Sequence, residues 1–204
     1  MVFLTSLFTG IVIALQSAYQ MEKLSAEIYI AALVALSVVR ELGPVITGLV
    51  VAGRVGASIS AELGTMKVTE QIDALETMAV DPVHYLVVPR FLALLFMLPV
   101  LTIYADVMGI LGGFLIGVTK LGISPNYYIR LTFEALTLRD ICSGFTKPVV
   151  FAFIIALISC QEGFFTKGGA EGVGRATTRT VVNTFVLIIV ADCLITAVYY
   201  FLLR

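Results

Sequence analysis

The chain has 204 residues, of which 59% are hydrophobic and 13% charged, against roughly 45–50% and 25% in soluble domains. That balance excludes an ordinary soluble domain, and a net charge of −1 gives no electrostatic reason to expect a nucleic-acid partner. Cys142, Cys160 and Cys193 lie far apart in or beside apolar segments, with neither metal nor redox spacing, and read as packing residues.

A helix needs about 20 mostly apolar residues to cross a hydrocarbon core about 30 Å thick. Runs of that kind lie at about 2–19, 28–61, 91–118, 148–165 and 181–203. They are continuous rather than alternating, which argues for helices and against barrel strands. The expected fold is therefore an all-α integral membrane domain of about five spans covering 1–204.

No charged leader or small-residue cleavage site accompanies the first run, so it is expected to be a retained span, not a signal peptide. At 100° per residue, Thr5, Thr9, Gln16 and Gln20 share one side of it. A polar stripe at membrane depth turns to protein or to a cavity. A helix–helix contact and a substrate-lining face both fit.

The second run holds Arg40 and Glu41, followed by Gly43-Pro44, where a kink is expected because proline lacks a backbone donor. Each charge costs at least about 2.5–3.5 kcal/mol at the centre of a span, so both should meet a partner or water. Glu41, beside the kink, reads as a hinge or cavity wall. Further on, Gly48, Ala52, Gly56, Ser60 and Gly64 recur at a strict spacing of four, a row that lets helix backbones approach closely. It is no phosphate cradle, because neither a preceding strand nor a Gly-Lys-Ser/Thr accompanies it.

Between the second and third runs, Val68, Ile72, Leu75 and Ala79 recur at helical spacing beside an acidic stripe, predicting a short amphipathic helix over 69–79. It ends at Asp81-Pro82, since a residue before proline avoids helical angles. A helix so short needs something to hold it. Membrane-surface helices favour Lys and Arg on their polar face, so this acidic one suits a basic groove on a partner protein.

Asp106 in the third run and Asp192 in the fifth are expected to be structural, in an ion pair or buried polar cluster. Ser124-Pro125 starts a helix well, with serine as N-cap and proline at N1, and Gly144 is placed to end it. Tyr127, Leu131, Leu138 and Cys142 form its apolar side, and Arg130 with Glu134 a spacing-four pair on the other. It is expected at an interface, as a solvated connector or a membrane-surface helix. The stretch 166–183 is glycine-rich and reads as a flexible connection whose threonines cap the last span.

Charge does not orient the chain. Arg54, Lys67, Arg90, Lys167, Arg175 and Arg179 fall to one side, balanced by Lys23, Lys120, Arg130, Arg139, Lys147 and Arg204 on the other. There is no Walker motif, Ser-His-Asp set or His-Glu-x-x-His, and His84 is the single histidine. No catalytic residue or metal site is expected, and energy for any uphill movement must arrive through a partner.

The stretch "RELGPVITGLVVAGRVGASISAELGTMKVTEQIDALETMAVDPVHYLVVPRF", with "GVGRATTRTVV" further on, closely resembles the MlaE-type permeases, membrane subunits of ABC transporters that move lipid between bacterial membranes. The resemblance covers essentially the whole chain. It implies a homodimer in the inner membrane, with phospholipid held between the subunits. A cytoplasmic ATPase (MlaF-like) would dock on the 69–79 helix through Glu70, Gln71, Asp73, Glu76 and Asp81, bringing ATP that the chain itself does not bind. A periplasmic MCE-domain protein (MlaD-like) and a STAS-domain protein (MlaB-like) are further implied partners. Gln16, Gln20, Arg40 and Glu41 are the expected cavity or dimer-interface residues. Family members carry an amphipathic helix ahead of the first span, and this chain starts inside that span. The alternative is an ion-coupled carrier using Glu41, Asp106 and Asp192.

Overall fold

The computed structural model describes residues 1–23 and 29–202; the start expected at Ile28 and the end expected at Leu203 lie outside them. All regular structure among the described residues is helical. Helix α1 (Val2–Glu22) comes first. Then α2 (Ile30–Ser37), α3 (Gly43–Val51) and α4 (Ala57–Val68) join end to end through wide π-type turns at Val38–Leu42 and Ala52–Gly56. The short α5 (Gln71–Thr77) precedes a third wide turn at Val83–Val87, which leads into α6 (Val88–Thr119). Helices α7 (Pro125–Ala135), α8 (Leu138–Phe164) and α9 (Gly169–Leu202) follow. Five rods are long and apolar enough to cross a membrane: Val2–Glu22, Ile30–Val68, Val83–Thr119, Leu138–Phe164 and Gly169–Phe201.

Proline explains two of the wide turns. Pro44 and Pro89 each stand two residues beyond a turn's end, so the oxygen each ring crowds, four residues back, belongs to Arg40 or Tyr85 inside that turn. The proline offers no N–H to that oxygen, and a widened turn accommodates both the missing bond and the ring. Gly43 N–H reaches back five residues to the Val38 carbonyl, and Val88 N–H to Val83.

Several expected boundaries move. The first span continues to Glu22, and the third begins at Val83. Gly144 does not end the helix begun at Pro125. That helix stops at Ala135, and α8 starts at Leu138 and runs through Gly144, whose missing side chain lets the Val39 backbone lie against it. The Asp140 carboxylate accepts the Thr137 N–H at 2.9 Å and its hydroxyl at 2.7 Å, capping the new start. The stretch 166–183 is not a flexible connection either. Gly168 and Gly169 take the turn at φ 93° and 68°, and helix runs from Gly169 onward. Thr177, Thr178 and Thr180 each donate to the carbonyl four residues back, so they sit inside α9 instead of capping it.

The chain divides into two compact units. The first comprises Met1–Thr47 and Pro99–Pro148. Its apolar core joins Ala14 and Ala18 of α1 to Ile30, Val34 and Val38, with Ile116 packed on them. Tyr128 of α7 is 1% exposed and meets Phe114 edge-on at 5.4 Å. The expected apolar side of this helix is thus displaced by one residue, with Tyr127 exposed and Tyr128 buried. Burial pushes the Tyr128 phenol up to about 12. The second unit comprises Gly48–Leu98 and the chain from Val149 onward, with Ile59, Leu63, Phe151, Ile155 and Ile188 buried. Large apolar side chains are exposed on the second unit, Phe96 and Leu194 among them, a surface suited to hydrocarbon.

Candidate functional site

In the second unit, the chain leaves α4 through Thr69 and Glu70, turns where Glu70 adopts φ 59°, and forms α5 over seven residues. Ala79 at φ 58° closes the other side. The helix is therefore shorter than the expected 69–79, because two left-handed residues stop it from joining its neighbours. Ile72 is 2% exposed and Leu75 half-buried, whereas Val68 and Ala79 are exposed. Anchoring falls to Ile72 and Leu75, the middle two members of that stripe. Lys67 Nζ donates to Asp73 at 2.7 Å, tying α5 to the end of α4.

Glu70, Gln71, Asp73, Glu76 and Asp81 are all exposed, but they are not equivalent. Asp73 is engaged by Lys67, and Asp81 Oδ1 accepts the Val83 N–H at 3.0 Å, starting the third span. Glu70, Gln71 and Glu76 are left as the outward polar surface. Nearby, Arg90 of α6 pairs with Glu62 of α4 at 3.0 Å.

The row Gly48, Ala52, Gly56, Ser60 and Gly64 is buried throughout. A Cβ on Gly48 would stand 3.0 Å from Phe151, one on Gly56 3.0 Å from Ser159 Oγ, and one on Gly64 2.8 Å from Thr166 Oγ1. In an unbroken α-helix the ends of this row would point about 160° apart, sixteen residues being about 4.4 turns. The wide turn at Ala52–Gly56 absorbs one residue and brings the ends within about 60°.

In the first unit, Arg40 and Glu41 sit in the wide turn Val38–Leu42, and α8 meets both. Arg40 Nε donates to Asp140 Oδ1 at 2.6 Å, with a second contact from its terminal nitrogen. Fully buried Lys147 donates to Glu41 Oε2 at 2.6 Å. Asp140 and Lys147 are seven residues apart, hence on one face of α8, and their signs complement the Arg-Glu pair. Sequence reasoning missed both partners, although that spacing of opposite charges was readable. The hinge or cavity-wall expectation for Glu41 meets an ion pair that fastens the turn to α8.

Gln16 and Gln20 are exposed on α1, whose buried face runs through Ser6, Gly10, Ala14 and Ala18. Thr5 and Thr9 spend their hydroxyl protons on carbonyls of their own helix. Asp192 is half-buried on α9. Asp106 departs from the expected ion pair or polar cluster: among the described residues its Oδ1 is buried with no hydrogen-bond partner. The described residues contain no group of acids, histidines and cysteines able to hold a metal.

A family model described as Permease MlaE matches residues 1–198. A probable ABC transporter permease protein of Rickettsia typhi is 51% identical over 199 residues, covering 98% of this chain and 77% of the relative. The intermembrane phospholipid transport system permease protein MlaE of Haemophilus influenzae is 40% identical over 200 residues, covering 98% and 77%. The chloroplastic protein TRIGALACTOSYLDIACYLGLYCEROL 1 of Arabidopsis thaliana is 41% identical over 197 residues, covering 97% and 56%.

Proposed function

We propose a function from one premise: the chain belongs to the MlaE permease family. It is the non-catalytic, multi-pass membrane subunit of an ABC transporter, in which ATP hydrolysis lies in a partner. In our reading two copies hold a phospholipid between them in the bacterial inner membrane and pass it to or from the outer membrane. The Haemophilus relative, named for intermembrane phospholipid transport, supports that cargo. A cytoplasmic MlaF-like ATPase docks on α5, an MlaD-like MCE-domain protein receives or delivers lipid on the periplasmic side, and an MlaB-like STAS-domain protein accompanies the ATPase.

The observation that carries this reading is the outward acidic surface of α5. Seven residues are too few to be helical in isolation, yet Ile72 plugs into the second unit and Lys67 holds Asp73. Force applied at Glu70, Gln71 and Glu76 therefore reaches α4. The buried small-residue row from Gly48 into α4 lies close against Phe151 and Ser159 of α8 and against Thr166, and tightly packed elements move as units. Exposed Gln16 and Gln20 support a second copy or a cargo cavity on that side of α1, since glutamine at membrane depth seeks a protein or water partner. The ion-coupled alternative has lost Glu41 to Lys147, and family membership replaces it.

The test is to express the neighbouring ATPase with the Glu70→Lys, Glu76→Lys double variant. These two positions leave the Lys67–Asp73 contact intact. ATPase recovery on the tagged permease should fall by at least about tenfold, equivalent to about 1.4 kcal/mol, while the permease elutes as the wild type does. Full ATPase recovery would refute docking on α5.

A further inference from the structure

In the second unit, the corner between α8 and α9 opens into a pocket of about 810 Å³, lined by Phe165, Lys167, Gly174, Arg175, Thr178 and Arg179 among others. That is the size of a small-molecule site, about 300–1,000 Å³. Neither the docking surface of α5 nor the small-residue row uses these residues. Gly174 leaves the pocket open, since a Cβ there would meet nothing within 4 Å. Arg175 folds toward the turn, its Nη2 3.6 Å from where a Cβ on Gly168 would stand.

The three cations that share this pocket are only loosely neutralised. Arg175 stands 3.7 Å from Glu171, among the described residues the one acid of that lining, and Arg179 stands 3.4 Å from Glu162. The paired charges of the first unit sit at 2.6 Å by comparison. Lys167 is exposed and has no ion-pair partner among the described residues. Both arginines and the lysine keep N–H donors for a further anion.

Helix α9 fixes the depth. Its 34 residues span about 51 Å, well over the hydrocarbon thickness of about 30 Å. The apolar run opens at Val181, so Arg179 stands about 3 Å and Arg175 about 9 Å beyond it along the axis, at the level of lipid headgroups. Below them, Val182, Val186 and Ile189 fall within about 40° of Arg175 at 100° per residue, and each is more than half exposed. One face of α9 thus runs from guanidinium to apolar surface, as a phospholipid runs from phosphate to acyl chain. Gly64 lies against Thr166, which puts this corner at the end of the unit where α4 gives way to α5. A partner whose basic groove grips acidic α5 is repelled here, whereas an anionic headgroup is attracted.

We propose that this corner binds an anionic phospholipid of the leaflet on the α5 side, its phosphate among Lys167, Arg175 and Arg179 and an acyl chain along Val182, Val186 and Ile189. The bound lipid is resident, not cargo. It takes none of the residues assigned to cargo or to the ATPase, so its failure would leave the proposed function standing.

The purified chain is equilibrated in detergent with equal parts phosphatidylglycerol and phosphatidylcholine, and the lipids that stay bound are counted by native mass spectrometry. Wild type should retain phosphatidylglycerol in preference. Lys167→Gln with Arg175→Gln should lower its affinity by about thirtyfold, each cation contributing about fivefold near a lipid surface. Arg179 stays, so Glu162 keeps its partner. Phosphatidylcholine retention, which does not depend on the site, should be the same in both. Inorganic phosphate should not displace the lipid, since it lacks the chain that lies on α9; displacement would mark a plain anion site and overturn the proposal. Equal retention of the two lipids by wild type, or an unchanged preference in the double variant, overturns it as well. If the corner instead holds the ATPase, the variant loses ATPase recovery with its lipid preference unaltered, which is the same refutation. Should the double variant not be recoverable, Lys167→Gln alone must lower the preference about fivefold; no change there overturns the site.

Discussion

Lys147 carries a charge into a fully buried position, and Glu41 at 2.6 Å is what makes that tolerable. Breaking a buried pair from one side costs more than removing it entirely, because the surviving charge is stranded. Lys147→Met should therefore lower unfolding free energy by about 1–3 kcal/mol, below the fully buried range because Glu41 is partly exposed. The double variant with Glu41→Gln should recover part of that loss; in a denaturation cycle, simple additivity would contradict the pairing. Tyr128 offers a pH test of the opposite kind. Its phenol titrates at about 12 when folded and near 10 when unfolded. The unfolded chain thus releases this proton first, and stability is whole below pH 10 and falls as pH rises toward 12. Because the buried hydroxyl has no partner among the described residues, Tyr128→Phe should melt at or above the wild-type midpoint at pH 7 and further above it at pH 11. Equal midpoints at both pH values would contradict burial of the hydroxyl.

At the scale of elements, the row from Gly48 to Gly64 shows how a sequence pattern and a backbone irregularity depend on one another. A spacing of four drifts around a regular helix, and the wide turn at Ala52–Gly56 returns the row to one buried face. Gly56→Leu places a branched side chain where Ser159 and Ile155 already stand, with 3.0 Å available at Cβ. It should reduce the yield of folded protein sharply or cost upward of about 3 kcal/mol. Wild-type melting of that variant would contradict close packing. The short helix α5 was legible as an acidic amphipathic segment from Ile72, Leu75 and the carboxylates around them. Its true ends were not, because Glu70 and Ala79 take left-handed angles for which neither residue type is a signal. The helical course of 169–183 was likewise hidden: a run of glycines reads as loop until packing favours the helix.

At the scale of the molecule, α1 offers an open polar face. Its inward face is small and buried, while Gln16 and Gln20 point away from the chain's own core. In the proposed dimer these amides meet the second copy or its lipid. Gln16→Leu with Gln20→Leu should leave the chain folded but reduce phospholipid recovered by mass spectrometry from the purified complex at least about threefold, the scale of one or two lost hydrogen bonds. Unchanged lipid content would move the cavity elsewhere.

The membrane class, the five spans and the acidic helix before Asp81-Pro82 follow from the sequence alone, because hydrocarbon imposes length and continuity on any chain that crosses it. So does the family, through the long block from Arg40 to Phe91. Which charges meet was decided only by tertiary structure. Arg40 finds Asp140 and Glu41 finds Lys147 across about a hundred residues of chain, and local periodicity carries no record of a partner so distant. The same holds for Asp106, whose Oδ1 lies against Gly43 with no hydrogen-bond partner among the described residues.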